Sequence, residues 1–343
     1  MAIKLGSTNF GQIYLGSVNI GEAYYGSVKV FPSTPVDPYN PLNLPAYTMR
    51  FEFGDLSYDP SVSYSRPGLS YSWARVSVNP NVWDFTYYGD AQAYLEYNWN
   101  NMFSHQFKLE NGCGNTRVLG ANTSGVTSMQ EMFNACDALV EFPLFDTSSV
   151  ENFVNFAALC SNLTSVPPYI DISGVTLRTG LQGMFWYSGI IHAPYLNLPP
   201  TVTELDSTFS GCRNLETVPE LDTRHIVKFS NTFSYCAKLN VGFGLQNSFN
   251  LASAEQFTTV FKECTGLTTL PTFYNYNNLT DVGHAFEQCY YVGSRILDTY
   301  NAFSSVITGN TGHVSTFWDC GLYSSTGSAE LAQIPTSWGG TGT

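Results

Sequence analysis

The sequence predicts an α/β solenoid, a leucine-rich-repeat-like arc of about eight strand-helix coils, preceded by a β-rich cap and an N-terminal β-repeat anchor. Three observations predict it. The stretch VTSMQEMFNAC at 126–136 returns every 24 to 31 residues to the C-terminus. Its apolar positions, Val126, Met129, Phe133 and Cys136, are spaced three, four and three, as on one side of a short helix. One such stripe buries too little surface to offset chain entropy, so stacked copies must share their interiors.

The chain begins with a ten-residue tandem at 1–31: IKLGSTNFGQ, IYLGSVNIGE and AYYGSVKVF. Each copy reads as strand, Gly-Ser turn, strand. So short a segment has no interior of its own, so Leu5, Phe10, Leu15, Ile20, Tyr25 and Val30 are expected to anchor it on a larger assembly or in a homo-oligomer, a trimer being favoured. A β-meander packed on the next domain is the plainer alternative. Residues 32–46, with five prolines, form a semi-rigid linker. Residues 47–120 hold alternating stretches such as YTMRFEF and WDFTYY and read as a β-rich capping domain, with AYLEYNWNNMF covering the open end of the array.

The solenoid is placed at 121–343. Its reference positions are Cys136, Cys160, Ser188, Cys212, Cys236, Cys264, Cys289 and Cys320. A phenylalanine stands three residues earlier in most units, as Phe133, Phe209, Phe233, Phe261, Phe286 and Phe317. With Leu139 these phenylalanines and cysteines are the expected repeat core. Arg178 interrupts the stripe of the third unit, and Asn310 with His313 suggests a last unit facing solvent. Segments such as LTSVP and LETVP read as short parallel strands ended by proline. Asp146, Asp171 and Asp222 read as helix N-caps. Seven of the eight cysteines share one repeat position, which favours stacked buried thiols over disulfides or a metal site.

At this point the pattern resembles a known family. The run FxxCxxLxxxP followed by DTSSVxxF is similar to the BspA-like leucine-rich repeats of bacterial-surface proteins and of bacteriophages of gut bacteria. The opening RVLGANTSGVTSMQEMF and the closing DCGLYSSTGSAELAQIPTSW resemble the ends of such arrays in phage proteins, and the Leu-Gly-Ser tandem resembles virion-attached ends of phage fibres. The resemblance implies an arc with a parallel sheet on one face, a role in surface recognition, and no enzyme.

Composition points the same way. With 14 Lys and Arg against 27 Asp and Glu, the net charge is −13, which disfavours nucleic acid. Charged residues are 12% of the chain and aromatics 15%, a palette suited to contacts with sugars or proteins. No basic start precedes an apolar run and no window is long and apolar enough for a membrane helix, so neither export nor membrane insertion is expected. The five histidines are scattered, no nucleophile elbow, HExxH helix or phosphate loop is present, and no cofactor is expected. GFGLQNS at 242–248 reads as a loop. The candidate binding residues are aromatic and off the stripe: Trp186, Tyr187, Tyr274, Tyr276, Tyr290, Tyr291 and Trp318. The functional expectation is a virion-surface fibre or adhesin, made in the host cytoplasm. Its partners would be capsid or tail proteins at the N-terminus and a host-surface glycan or protein on the repeats. The rivals are a capsid- or tail-stabilising protein, a bacterial-surface adhesin, and a depolymerase with facing carboxylates.

Overall fold

The computed structural model describes residues 14–15, 18–19, 24–25, 28–29, 37, 39–64, 68–90, 99, 101–242, 244–309 and 311–342. The anchoring candidates Leu5, Phe10, Ile20 and Val30 lie outside these residues. Leu15 and Tyr25 fall on short strands. β1 (Tyr14–Leu15) pairs antiparallel with β2 (Val18–Asn19), and β3 (Tyr24–Tyr25) with β4 (Val28–Lys29).

Alternating apolar residues make the next part a sheet. β5 (Thr48–Phe53) buries Met49, Phe51 and Phe53 and sits between β7 (Asn81–Asp90) and β8 (Thr116–Ala121), antiparallel to both. β6 (Leu69–Ser77) flanks β7, and β9 (Leu139–Glu141) flanks β8 in parallel, giving the order β6-β7-β5-β8-β9. A short helix, α1 (Pro60–Ser63), starts at Asp59, whose carboxylate accepts the Ser61 N–H. Because β9 belongs to the first repeat, sheet and repeats share one hydrophobic core.

The repeats overturn the expected strand-helix coils. Among the described residues, α-helix beyond α1 is confined to α2 (Ile296–Ser304) and α3 (Ser325–Leu331), and neither lies on a predicted stripe. Extended structure in the repeats is equally sparse: β9, the parallel pair β10 (Ser248–Asn250) and β11 (Thr272–Tyr274), and isolated parallel bridges such as Glu141 to Ser165 and His192 to Thr217. The described residues are mostly sheet and turns with three short α-helices, which does not fit the predicted solenoid of strands and helices.

The stripe residues lie in successive tight turns instead. Within the first unit, the N–H groups of Met132, Asn134 and Cys136 donate to the carbonyls three residues back, at 3.1–3.2 Å. The alternate N–H groups, of Met129, Glu131, Phe133 and Ala135, donate to Asn152, Val154, Phe156 and Ala158 of the next unit, at 2.8–3.0 Å. An α-helix would keep all these bonds within itself. Here every second donor crosses to a neighbour, so a unit's backbone is satisfied only by stacking. The geometry requires a left-handed residue every fourth position: Glu131 and Ala135, Asn155 and Leu159, Asn231 and Tyr235, Thr259 and Glu263, all at φ 53–62°. Such residues cost roughly 1–2 kcal/mol each outside glycine, which the cross-unit hydrogen bonds and the packing offset. A three-four-three spacing places side chains inward in both geometries, which is why the stripe reads as a helix.

The interior is a stack of like on like. Phe185, Phe209, Phe233, Phe261, Phe286 and Phe317 lie face to face in series, with centroids 5.5–6.0 Å apart and planes within 13°. The expected core residues Phe133, Cys136, Leu139, Cys160, Cys212, Cys236, Cys264, Cys289 and Cys320 are buried as well. Each of six thiols donates to a phenylalanine carbonyl one unit earlier, as Cys236 Sγ does to Phe209 O at 3.1 Å and Cys264 Sγ to Phe233 O at 2.9 Å. In the third unit Ser188 takes this position and its hydroxyl lies 3.5 Å from Cys212 Sγ.

Three further details depart from the sequence reading. The ladder starts before residue 120: Trp99, Asn101, Phe103 and His105 donate to Ser128, Gln130, Met132 and Asn134, and Phe103 stacks on Phe133 at 5.6 Å. Gln106 stands where later units have cysteine, which hides this unit. In the third unit Val175 and Leu181 are buried while Arg178 points outward, so an insertion loops out and leaves the inner row intact. At the far end His313 is buried rather than solvent-facing; its ring stacks on Trp338 at 4.4 Å, where the C-terminal segment covers the last unit. Asn310 lies outside the described residues. Asp146, Asp171 and Asp222 cap turns, not helices, accepting the N–H two residues on.

Candidate functional site

The inward side chains are scaffold. Burial pushes the Cys136, Cys212 and Cys264 thiols up to about 12, and all eight cysteines are free and buried, so none is a poised nucleophile or ligand. Two buried carboxylates are paired by cations. Glu204 lies 3.4 Å from Arg178 and 3.6 Å from Lys228, and Glu287 lies 3.0 Å from Lys262 and also against His284 Nδ1. Among the described residues no group of three His, Cys, Asp or Glu side chains converges as a metal site would, and no helix is long and apolar enough to cross a membrane.

The seven aromatic candidates do not form one site. Trp186 and Tyr187 meet edge to face at 5.2 Å, each 37% exposed. The Tyr187 ring lies over Gly211, where a Cβ would come within 2.7 Å of the ring, so this tyrosine is partly a packing residue. Tyr290 and Tyr291 cluster with Tyr323, at 5.1 and 5.6 Å. Trp318 is half exposed, near the same end of the repeats. Tyr276 is half-buried, edge-on to Phe303 at 6.2 Å.

Tyr274 is the exception. It is 45% exposed and borders a groove of about 420 Å³ whose other border is Tyr195, 43% exposed. The floor comes from the two successive repeats between them. Asp222 and Arg224 contribute a fork, with Arg224 Nε and Nη2 donating to the two carboxylate oxygens at 2.9 and 2.6 Å. That guanidinium, chiefly through these hydrogen bonds, holds the Asp222 carboxyl down at about 2. Gln246 is clamped, its Oε1 accepting the Leu221 N–H and its Nε2 donating to Ser248 O, both at 2.8 Å. Asn250 is clamped likewise: its Oδ1 accepts from Ala252 N–H and from Asn275 Nδ2, both at 3.1 Å. Tyr195 itself stacks on Tyr169 of the preceding unit at 6.2 Å.

Sequence reasoning missed Tyr195, Arg224, Gln246 and Asn250, and took Asp222 for a helix cap. The available signal was position: Ser248, Asn250 and Tyr274 lie on the short extended segments of successive units, β10 and β11, and Tyr195 on the extended bridge to Tyr169 of the unit before it.

A family model described as "Mycoplasma protein of unknown function, DUF285" matches residues 97–188 and 199–300. The chain belongs to the DUF285 family. The DUF285 match opens two residues before Trp99, where the turn ladder starts, and takes in Tyr274 and the floor of the groove. DUF285 is associated with BspA-like repeat proteins. The searches of curated proteins and of solved structures gave no match.

Proposed function

We infer that this chain is a bacteriophage virion fibre or adhesin that mounts on the particle through its N-terminal tandem and presents its repeats to the host envelope. The observation that supports this reading best is the groove between Tyr195 and Tyr274. Two exposed rings border clamped amide, carboxylate and guanidinium groups, in a protein whose inward positions are given over to packing. Ring faces and fixed planar polar groups suit the recognition of a surface glycan or protein. A virion displays many copies, so weak sites add through effective concentration. The short hairpins β1-β2 and β3-β4, ten residues apart, are compatible with a mount on capsid or tail proteins within a homo-oligomer.

Localisation on purified particles by cryo-microscopy, with whole-cell binding by the full-length protein, tests this reading. Density at a fibre position and attachment to host cells are expected; particles without the protein refute it. Particles assembled with residues 1–31 deleted should lack the protein. Retention of the deleted form would refute the anchoring role. Release of reducing sugar from host polysaccharide would show an enzyme instead of a binder. The family's description as a Mycoplasma protein favours one second reading, a bacterial-surface adhesin; the protein would then be found on intact cells that carry no phage.

A further inference from the structure

We propose that the groove between Tyr195 and Tyr274 is a subsite for a neutral oligosaccharide. The tyrosine rings stack on pyranose faces, and the Asp222–Arg224 fork with Gln246 reads sugar hydroxyls. This rests on the recognition reading and adds to it the ligand class and the residues.

The groove runs on into a second depression of about 570 Å³ that shares Glu220, Gln246 and Ser248 with it. Both are open troughs on the flank of the repeats, suited to a chain lying along them. A pyranose presents a face of C–H bonds edged by hydroxyls that both donate and accept. Tyrosine offers a flat apolar ring with a polar tip, carboxylate offers acceptors, and guanidinium offers five N–H donors, of which Asp222 uses two. Gln246 and Asn250 are already hydrogen-bonded into place, and Thr223 Oγ1 donates to Asn250 O at 2.9 Å, so a ligand meets polar groups whose ordering cost was met on folding.

Glu220, Asp222 and Arg224 leave the groove with one negative charge, on a chain of net charge −13. Phosphorylated or uronic-acid polymers would be repelled. A protein ligand would need an apolar anchor, and apart from the two tyrosines and buried Leu221 the groove is lined by polar side chains.

The test uses the full-length protein on an array carrying neutral and acidic oligosaccharides, beside a whole-cell attachment assay. Neutral oligosaccharides should be retained. Tyr195→Ala and Tyr274→Ala should each weaken retention by roughly 3- to 10-fold, as expected for loss of one stacked ring. Tyr274→Phe keeps the ring and should keep most of the binding, and Tyr88→Ala, an exposed ring on β7 outside the groove, should change nothing. Each variant's thermal midpoint is checked, since both groove tyrosines are exposed and their loss should leave the fold intact. Retention of acidic glycans alone, of none, or of neutral glycans equally by a Tyr195→Ala, Tyr274→Ala double variant overturns the proposal. Cell attachment that survives the double variant leaves host recognition standing and refutes the groove. Ring-dependent glycan retention without any attachment to host cells supports the groove and refutes the host-recognition reading.

Discussion

Replacing Phe233 by Ala probes the aromatic stack most directly. The ring is 1% exposed and lies between Phe209, 5.7 Å away and 1° from parallel, and Phe261, at 5.6 Å and 12°. Removing a buried phenylalanine side chain costs about 3–5 kcal/mol in transfer and cavity terms together. Two features push this case towards the upper end. Two rings lose a stacking partner, each such pair contributing roughly 0.5–1.5 kcal/mol beyond area. The neighbours also have little freedom to close the gap, because Phe209 N donates to Thr232 O and Phe233 N to Val260 O, both at 3.0 Å, which holds the spacing of the units. We expect a loss of about 4–5 kcal/mol in guanidinium unfolding followed by circular dichroism. Hydrogen exchange should reveal whether neighbouring units open first, as quasi-one-dimensional stacks do. A loss below about 1 kcal/mol, typical of surface sites, would refute the assignment of this ring to the interior.

Other predictions follow from the same geometry. Thr259 is a β-branched residue at φ 54°. Thr259→Gly should therefore be neutral or stabilising by up to about 1 kcal/mol, whereas within a helix it would destabilise; thermal midpoints decide the sign. Thiol titration of native protein at pH 8 should label close to none of the eight cysteines, and all eight after denaturation; rapid native labelling would contradict their burial. Because burial raises these thiols, the folded chain keeps its thiol protons to higher pH than the unfolded chain. Stability should be full below the ordinary thiol range, near pH 8.5, and fall as pH rises from there towards 12. A thermal midpoint constant to pH 11 would refute this. Trp338→Ala should expose the stacked His313 ring and cost about 3 kcal/mol or more, measured by the same unfolding assay.

Much of this molecule is determined by its sequence alone. The period, the inward row of phenylalanine and cysteine, the alternating strand β5 and the acidic balance are all properties of spacing and composition, because burial demands the same inward positions whatever the backbone does. The choice between helix and turn was not legible there. Val126, Met129, Phe133 and Cys136 suit either, and what decides is where alternate N–H groups find acceptors. Those acceptors, such as Asn152 and Val154, lie more than twenty residues away and exist only once two units are stacked. The groove has the same origin. Tyr195, the Asp222–Arg224 pair, Gln246 and Tyr274 come from four successive repeats, and no spacing within one repeat records that they meet. A short-range pattern specifies which side of each unit is buried; only the stacking of units decides the backbone that achieves it and the surface it leaves exposed.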